Sequence, residues 1–119
     1  MQSSEVRGRV ALTGLRCPAT QGNPPESTLL LVDIAIELDL AAVATSDAFD
    51  DVVDLADLAA FVRQRVAEHP QMLLESIAVR TARGVLERYP MVERVQLRVL
   101  KPEPAGLDAE SESVELALP

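Results

Sequence analysis

Aromatic side chains are almost missing from this chain of 119 residues: there is no tryptophan, one tyrosine and two phenylalanines, 3% in all against an apolar total of 48%. A core made from such a sequence has to be aliphatic, because Ala, Val and Leu supply most of its apolar residues. Cysteine occurs once, at Cys17, which excludes an internal disulfide, and histidine also occurs once, at His69, so no metal-ligand spacing exists. Cys17 reads as a buried or half-buried thiol. Basic residues are few beside acidic ones, 11 against 19 for a formal charge of −8, and this leaves no electrostatic footprint for nucleic acid phosphates. No apolar run reaches the roughly 18 residues of a membrane span, and residues 1–9 lack the apolar centre of a signal peptide. Neither a Gly-rich phosphate loop nor a nucleophile-base-acid constellation is present. The expectation is a cytoplasmic protein without metal, cofactor, nucleic acid or membrane partner, folded as one domain over residues 1–119.

What the chain does have is clear alternation. Val6, Gly8, Val10 and Leu12 alternate with Arg7, Arg9, Ala11 and Thr13, and Leu30, Val32, Ile34, Ile36, Leu38 and Leu40 alternate with Asp33, Ala35, Glu37 and Asp39, which predicts two antiparallel strands. Between them, Cys17 to Thr28 holds Gly22, Pro24 and Pro25 and reads as a loop. Ala44 to Asp54, rich in Asp, Ser and Thr, reads as an irregular acidic connection. Asp54 is placed as the N-cap of a first helix, with Asp57 in its first turn and Leu55, Leu58, Ala59, Val62 and Val66 at helical spacing as far as His69 and Pro70. Met72 to Arg88 repeats that spacing as a second helix. Beyond Pro90, Arg94 to Lys101 alternates as a third strand, and Val114, Leu116 and Leu118 mark a fourth after the Pro-rich loop from Pro102 to Leu107.

The order is strand, strand, helix, helix, strand, strand (ββααββ): an α+β fold with a four-stranded antiparallel sheet and two helices inserted after the second strand. Helices cover one face of such a sheet, and the second strand carries little charge on either side near its start, so the other face also calls for a cover. Closing the edge strands against copies of the same chain would provide one and would remove the unpaired edges, which predicts a homo-oligomeric ring. The alternative is a monomeric two-layer sandwich.

Three side chains are candidates for chemistry. Glu75 opens the second helix beside its apolar stripe, where a carboxylate serves either the helix dipole or, as a bidentate acceptor, a ligand edge carrying an amino group and a ring N–H. Lys101 falls on the same side of the third strand as Val95, Leu97 and Val99, so its ammonium either snorkels to solvent or sits at a pocket rim and exchanges protons there. Glu26, in the Pro-rich loop, is either a solvated acid or a ligand contact. His69 reads as a helix C-terminal residue.

Taken in order, Leu12-Thr13-Gly14-Leu15-Arg16, Leu31-Val32-Asp33-Ile34 with Glu37-Leu38-Asp39-Leu40, Thr45-Ser46-Asp47, Asp51-Val52-Val53-Asp54, Leu73-Leu74-Glu75-Ser76-Ile77-Ala78 and Val99-Leu100-Lys101-Pro102-Glu103 resemble the dihydroneopterin aldolase family, a tunnelling-fold family, over nearly the whole chain. The resemblance implies a ring of four or eight subunits and a metal-free retro-aldol cleavage of 7,8-dihydroneopterin in folate biosynthesis. It also implies roles: Glu75 as the pterin anchor, the main chain of Leu74 and a neighbouring subunit's Val53 as the slot around it, Lys101 as general acid/base through water, and Glu26 on the substrate's hydroxylated tail. Three positions depart from the family pattern. Leu55 stands where the family has a tyrosine, Pro18-Ala19-Thr20-Gln21-Gly22 replaces an aromatic-Gly-x-His-Gly stretch, and Ser113 replaces a common glycine. A catalytically silent pterin-binding or structural paralogue, or an enzyme for another pterin-like substrate, are the alternatives.

Overall fold

Alternation in the N-terminal third continues well past the apolar residues that announce it. In the computed structural model, which describes residues 5–22, 24–48, 52–68 and 73–119, β1 runs from Arg7 to Gln21 and β2 from Glu26 to Asp39. They pair antiparallel from Arg7↔Asp39 to Gln21↔Glu26. The expected loop from Cys17 to Thr28 is therefore two strands joined by a tight turn. Cys17, Ala19 and Gln21 are buried while Pro18 and Thr20 are exposed, so the period of two persists to the turn. Pro18 is tolerated because β1 is an edge strand and has no neighbour waiting for its missing N–H. The breakers are confined to the turn, where Gly22 has φ at +93° and Pro24 and Pro25 precede β2. A bulge between Leu12 and Leu15 contains Gly14 at φ +66°, whose N–H donates to Asp33 Oδ1 at 2.7 Å.

Between the two halves of the sheet stand three helices, α1 (Ala41–Ser46), α2 (Leu55–Ala67) and α3 (Leu74–Arg88). The first corrects the expectation of an irregular connection from Ala44 to Asp54. Its Ala-rich start has high helix propensity, Asp39 Oδ1 accepts from the Ala41 N–H at 2.9 Å, and Asp47 ends it in a left-handed conformation. Asp54 caps α2 as expected, accepting from the N–H groups of Ala56 and Asp57. His69, Pro70 and Met72, assigned from the sequence to helix ends, lie outside the described residues.

Strands β3 (Arg94–Pro102) and β4 (Ser111–Leu118) complete a four-stranded sheet in the order β1-β2-β3-β4, each pair antiparallel. Its covered face carries Ile34, Ile36, Val95, Leu97 and Val99, which pack with Leu58, Val62 and Val66 of α2 and Ile77, Ala78, Ala82 and Val85 of α3 in one aliphatic core. Each of the Val, Leu and Ile side chains removed from water contributes about 1.5–3 kcal/mol before entropy is charged against it. The other face is open. Arg9, Asp33, Arg98 and Glu115 border a groove of about 540 Å³ on it, and Arg98 lies 3.6 Å from Asp33 and 3.9 Å from Glu115. No described helix is long and apolar enough to cross a membrane.

Candidate active site

A short connection, Tyr89 to Glu93, turns the chain from α3 into β3, with the Val92 N–H donating to the Tyr89 carbonyl and the Glu93 N–H to the Glu37 carbonyl. The helix packs on the strand it precedes, and the two run in opposite directions. Glu75 lies thirteen residues before Arg88, roughly 20 Å along a helix. Lys101 lies seven residues beyond Arg94, roughly 23 Å along a strand. Both side chains therefore end up at the same end of the molecule, one on the helix and one on the sheet beneath it.

Around Lys101 the sheet is apolar on one side and acidic on the other. The last β2–β3 pair is Leu31↔Leu100, so Lys101 comes next to Leu30, which itself faces Cys17 across β1 and β2. Leu30 and Cys17 are fully buried. On β4 the partner of Lys101 is Glu112, and both are half-buried. Pro102 follows Lys101 and restricts it to extended backbone. Above this floor, the first turn of α3 presents a buried Leu74 and an exposed Glu75. Leu73, its N-cap, contributes no side-chain hydrogen bond, and Glu75 is the acid of the first turn, where it complements the helix dipole. Among the described residues, no hydrogen bond or ion pair engages the side chain of Glu75 or of Lys101.

The remaining expected residues are more distant. Glu26 starts β2 opposite Gln21, on the same side of the strand as Leu30 and four residues from it, about 13 Å up the hairpin. Val53, 7% exposed, precedes the Asp54 cap of α2. The bidentate pair between Asp57 in the first turn of α2 and Arg88 at the end of α3 shows that these helices are antiparallel. Val53 and the partly exposed Leu55 thus lie at the end opposite Glu75. Within one copy of the chain, Val53 and Glu75 therefore do not share an end.

Burial pushes the Cys17 thiol up to about 11, with the nearby Arg63 charge opposing, and this removes it from consideration as a nucleophile near neutral pH. The described residues contain no group of three or more His, Cys, Asp or Glu side chains that could hold a metal ion. The open groove lies on the far face of the sheet from Glu75 and Lys101, and its pairing of opposite charges suits contact with water rather than a reacting centre. Two signals in the sequence mark this end of the sheet: Lys101 is the only lysine beside ten arginines, and Glu112 shares the alternation of Val114, Leu116 and Leu118.

Comparison with known proteins bears on the family and the fold. The profile of FolB, dihydroneopterin aldolase, matches residues 10–117. The chain is similar to dihydroneopterin aldolase of Bacillus subtilis (strain 168), 32% identical over 73 residues that cover 61% of each protein. It is also similar to probable dihydroneopterin aldolase 3 of Arabidopsis thaliana, 31% identical over 101 residues that cover 82% of this chain and 63% of the relative. The match thus spans less than two thirds of the length of either curated relative. In three dimensions it is similar to the crystal structure of Escherichia coli dihydroneopterin aldolase in complex with neopterin, with a TM-score of 0.84 at 25% identity over 94% of this chain and 99% of that one. The four antiparallel strands with helices between the second and third are the tunnelling fold, and, with a family profile running from Val10 to Ala117, the chain belongs to the dihydroneopterin aldolase family.

Proposed function

We propose that the chain is a dihydroneopterin aldolase-like lyase of folate biosynthesis, working in the cytoplasm as a ring of four or eight copies. The substrate is 7,8-dihydroneopterin and the products are 6-hydroxymethyl-7,8-dihydropterin and glycolaldehyde. In this reaction the hydroxyl on the second carbon of the side chain loses its proton, the bond between the first and second side-chain carbons breaks, and the electron pair passes into the ring C=N. Glycolaldehyde leaves, and a proton delivered to the first carbon gives the hydroxymethyl product. The ring is itself the electron sink, so no Schiff base is required.

Glu75 is the anchor, its two oxygens accepting from the amino group and an adjacent ring N–H of the pterin in a charge-assisted pair. The Leu74 main chain and Val53 of an adjoining copy close the slot. Lys101 carries protons through water, and Glu26 contacts the hydroxylated tail. The observation that supports this most is the convergence of Glu75 and Lys101, 26 residues apart in sequence, at one end of the antiparallel α3–β3 unit. Leu55 offers no hydroxyl where the resemblance calls for one. Loss of one general acid or base costs on the order of 10² to 10⁴ in rate, so slow turnover fits the residues present.

Leu55 also favours a second reading, a catalytically silent pterin-binding ring subunit. Incubation of the pure protein with 7,8-dihydroneopterin separates the two. Glycolaldehyde release that disappears in Lys101→Ala supports the lyase, whereas calorimetric binding that is lost in Glu75→Ala, with no turnover, supports the silent subunit. Absence of both binding and turnover refutes both and points to another pterin-like substrate.

A further inference from the structure

We propose that the β1 edge of one copy docks on the β4 edge of a second copy, and that charge selects this head-to-tail joint over the pairing of like edges. The inference rests on the ring in the proposed function and names the edges that meet. On a chain of formal charge −8, β1 is a basic strand, with Arg7, Arg9 and Arg16 as its charged residues and no acid. β4 is the reverse, with Glu112 and Glu115 and no base. These are the two strands at the edges of the sheet. Two β1 edges brought together would set arginine against arginine, and two β4 edges glutamate against glutamate, whereas opposite charges attract across a ladder.

The core is also unfinished at both edges. In the middle of the sheet, the covered-side residues Ile34, Ile36, Val95 and Val99 are fully buried. Val10 and Leu12 on β1, and Val114 and Leu116 on β4, pack against the same core yet are only partly buried. A β4 strand laid beside β1 covers both sets at once and removes two unpaired edges. Docking is confined to the start of β1, because Arg63 of α2 donates from Nε to the Arg16 carbonyl at 2.9 Å and a bulge interrupts the strand after Leu12. Residues 7–12 remain, and the eight residues of β4 are long enough to span them.

Arg9 and Glu115 are the charges best placed to act across this joint. Both border the groove on the open face, so a joint that continues the sheet sets them on one side. Arg9 donates to the neutral Gln96 and, among the described residues, makes no ion pair. The Glu115 side chain is 76% exposed, with Arg98 no closer than 3.9 Å. Arg7, by contrast, is already paired with Glu93. The joint therefore uses two charges that the single chain leaves largely uncompensated.

Sedimentation equilibrium of the full-length chain tests this, with the association constant measured for the parent, for Arg9→Glu, for Glu115→Arg and for both substitutions in one chain. Each single substitution is expected to weaken association about tenfold, and the double variant, which has an opposite pair at every joint, to recover most of that loss. Single variants that associate like the parent, or a double variant no better than the singles, overturn the edge assignment and leave the ring itself standing.

A parent protein that stays monomeric overturns both the joint and the ring. If a variant does not fold, the parent is compared at roughly 0.01 M and 1 M salt, where the screening length falls from about 30 to 3 Å. Weaker association at high salt supports the charged joint, and association that is indifferent to salt or tighter refutes it.

Discussion

Arg88, in the last turn of α3, donates from Nε and Nη2 to the two oxygens of Asp57 in the first turn of α2, at 3.2 and 3.0 Å. The Tyr89 hydroxyl donates to the same carboxylate. Phe61 lies against both, edge-on to Tyr89 at 6.4 Å and 5.1 Å beneath the Arg88 guanidinium. These contacts fasten the helix pair at the end away from Glu75. The Arg88 and Tyr89 hydrogen bonds hold the Asp57 carboxyl below the usual carboxylate range. A depressed folded-state value contributes stability above the ordinary carboxylate pKa of about 4, and that contribution is lost as pH falls through the lower folded value. Asp57→Asn should therefore melt below the parent protein at pH 7, and the gap should narrow in thermal melts at about pH 3. An equal gap at both pH values would show that the charge is irrelevant.

Cys17 has the opposite sign. Its Sγ is fully buried, 3.6 Å from the Leu15 carbonyl, and its raised value of about 11 means that the folded protein keeps a proton which the unfolded chain releases near pH 8.5. Stability should be intact below about pH 8.5 and decline toward pH 11, and Cys17→Ala should make that decline shallower, leaving the part from Tyr89, whose hydroxyl burial also pushes up. Alkylation by iodoacetamide at pH 8 should be at least about a hundredfold slower in the native protein than in denaturant, as expected for a thiol both buried and protonated. Equal rates would mean that the thiol is reachable.

Thr81 is 1% exposed on the core side of α3, and among the described residues its Oγ1 has no hydrogen-bond partner. Valine has nearly the same shape without the hydroxyl. Thr81→Val should leave stability unchanged or raise it by about 1 kcal/mol in urea unfolding, since a buried unsatisfied group carries a desolvation cost. A clear loss would mean that the hydroxyl is engaged.

At Lys101 an arginine preserves the charge but cannot give up a proton near neutral pH. If proton transfer is its task, Lys101→Arg should be as slow as Lys101→Ala, down on the order of 10² to 10⁴ in kcat with 7,8-dihydroneopterin. Substantial activity in the arginine variant would assign the residue to charge alone.

Much of the fold was legible in the residues. Period-two runs announced all four strands, and Asp54 followed by Asp57 marked the start of α2 correctly. The hairpin beyond Cys17 was hidden because Gly22, Pro24 and Pro25 looked like breakers for a whole segment, while Pro18 is harmless on a strand with a free edge. The short helix α1 was masked by the Asp, Ser and Thr residues that follow its alanines. Glu75 and Lys101 could be chosen from the sequence, yet their meeting at one end depends on the antiparallel course of α3 and β3. Contacts that depend on distant pairing, such as Asp57 with Arg88, leave no local periodic trace.

The sheet has four strands, an even number, with β1 and β4 at its free edges. A second copy joined through its β1 to the first copy's β4 meets it antiparallel and offers a fresh β4 edge in the same direction. Backbone pairing alone therefore sets no upper limit on how many copies can be added, and the bend of the sheet decides between closure and an endless ribbon. Gly14, at φ +66° in the β1 bulge, is one place where that bend is made. For the proposed ring, a substitution that irons out the bulge is expected to favour an open ribbon over closure.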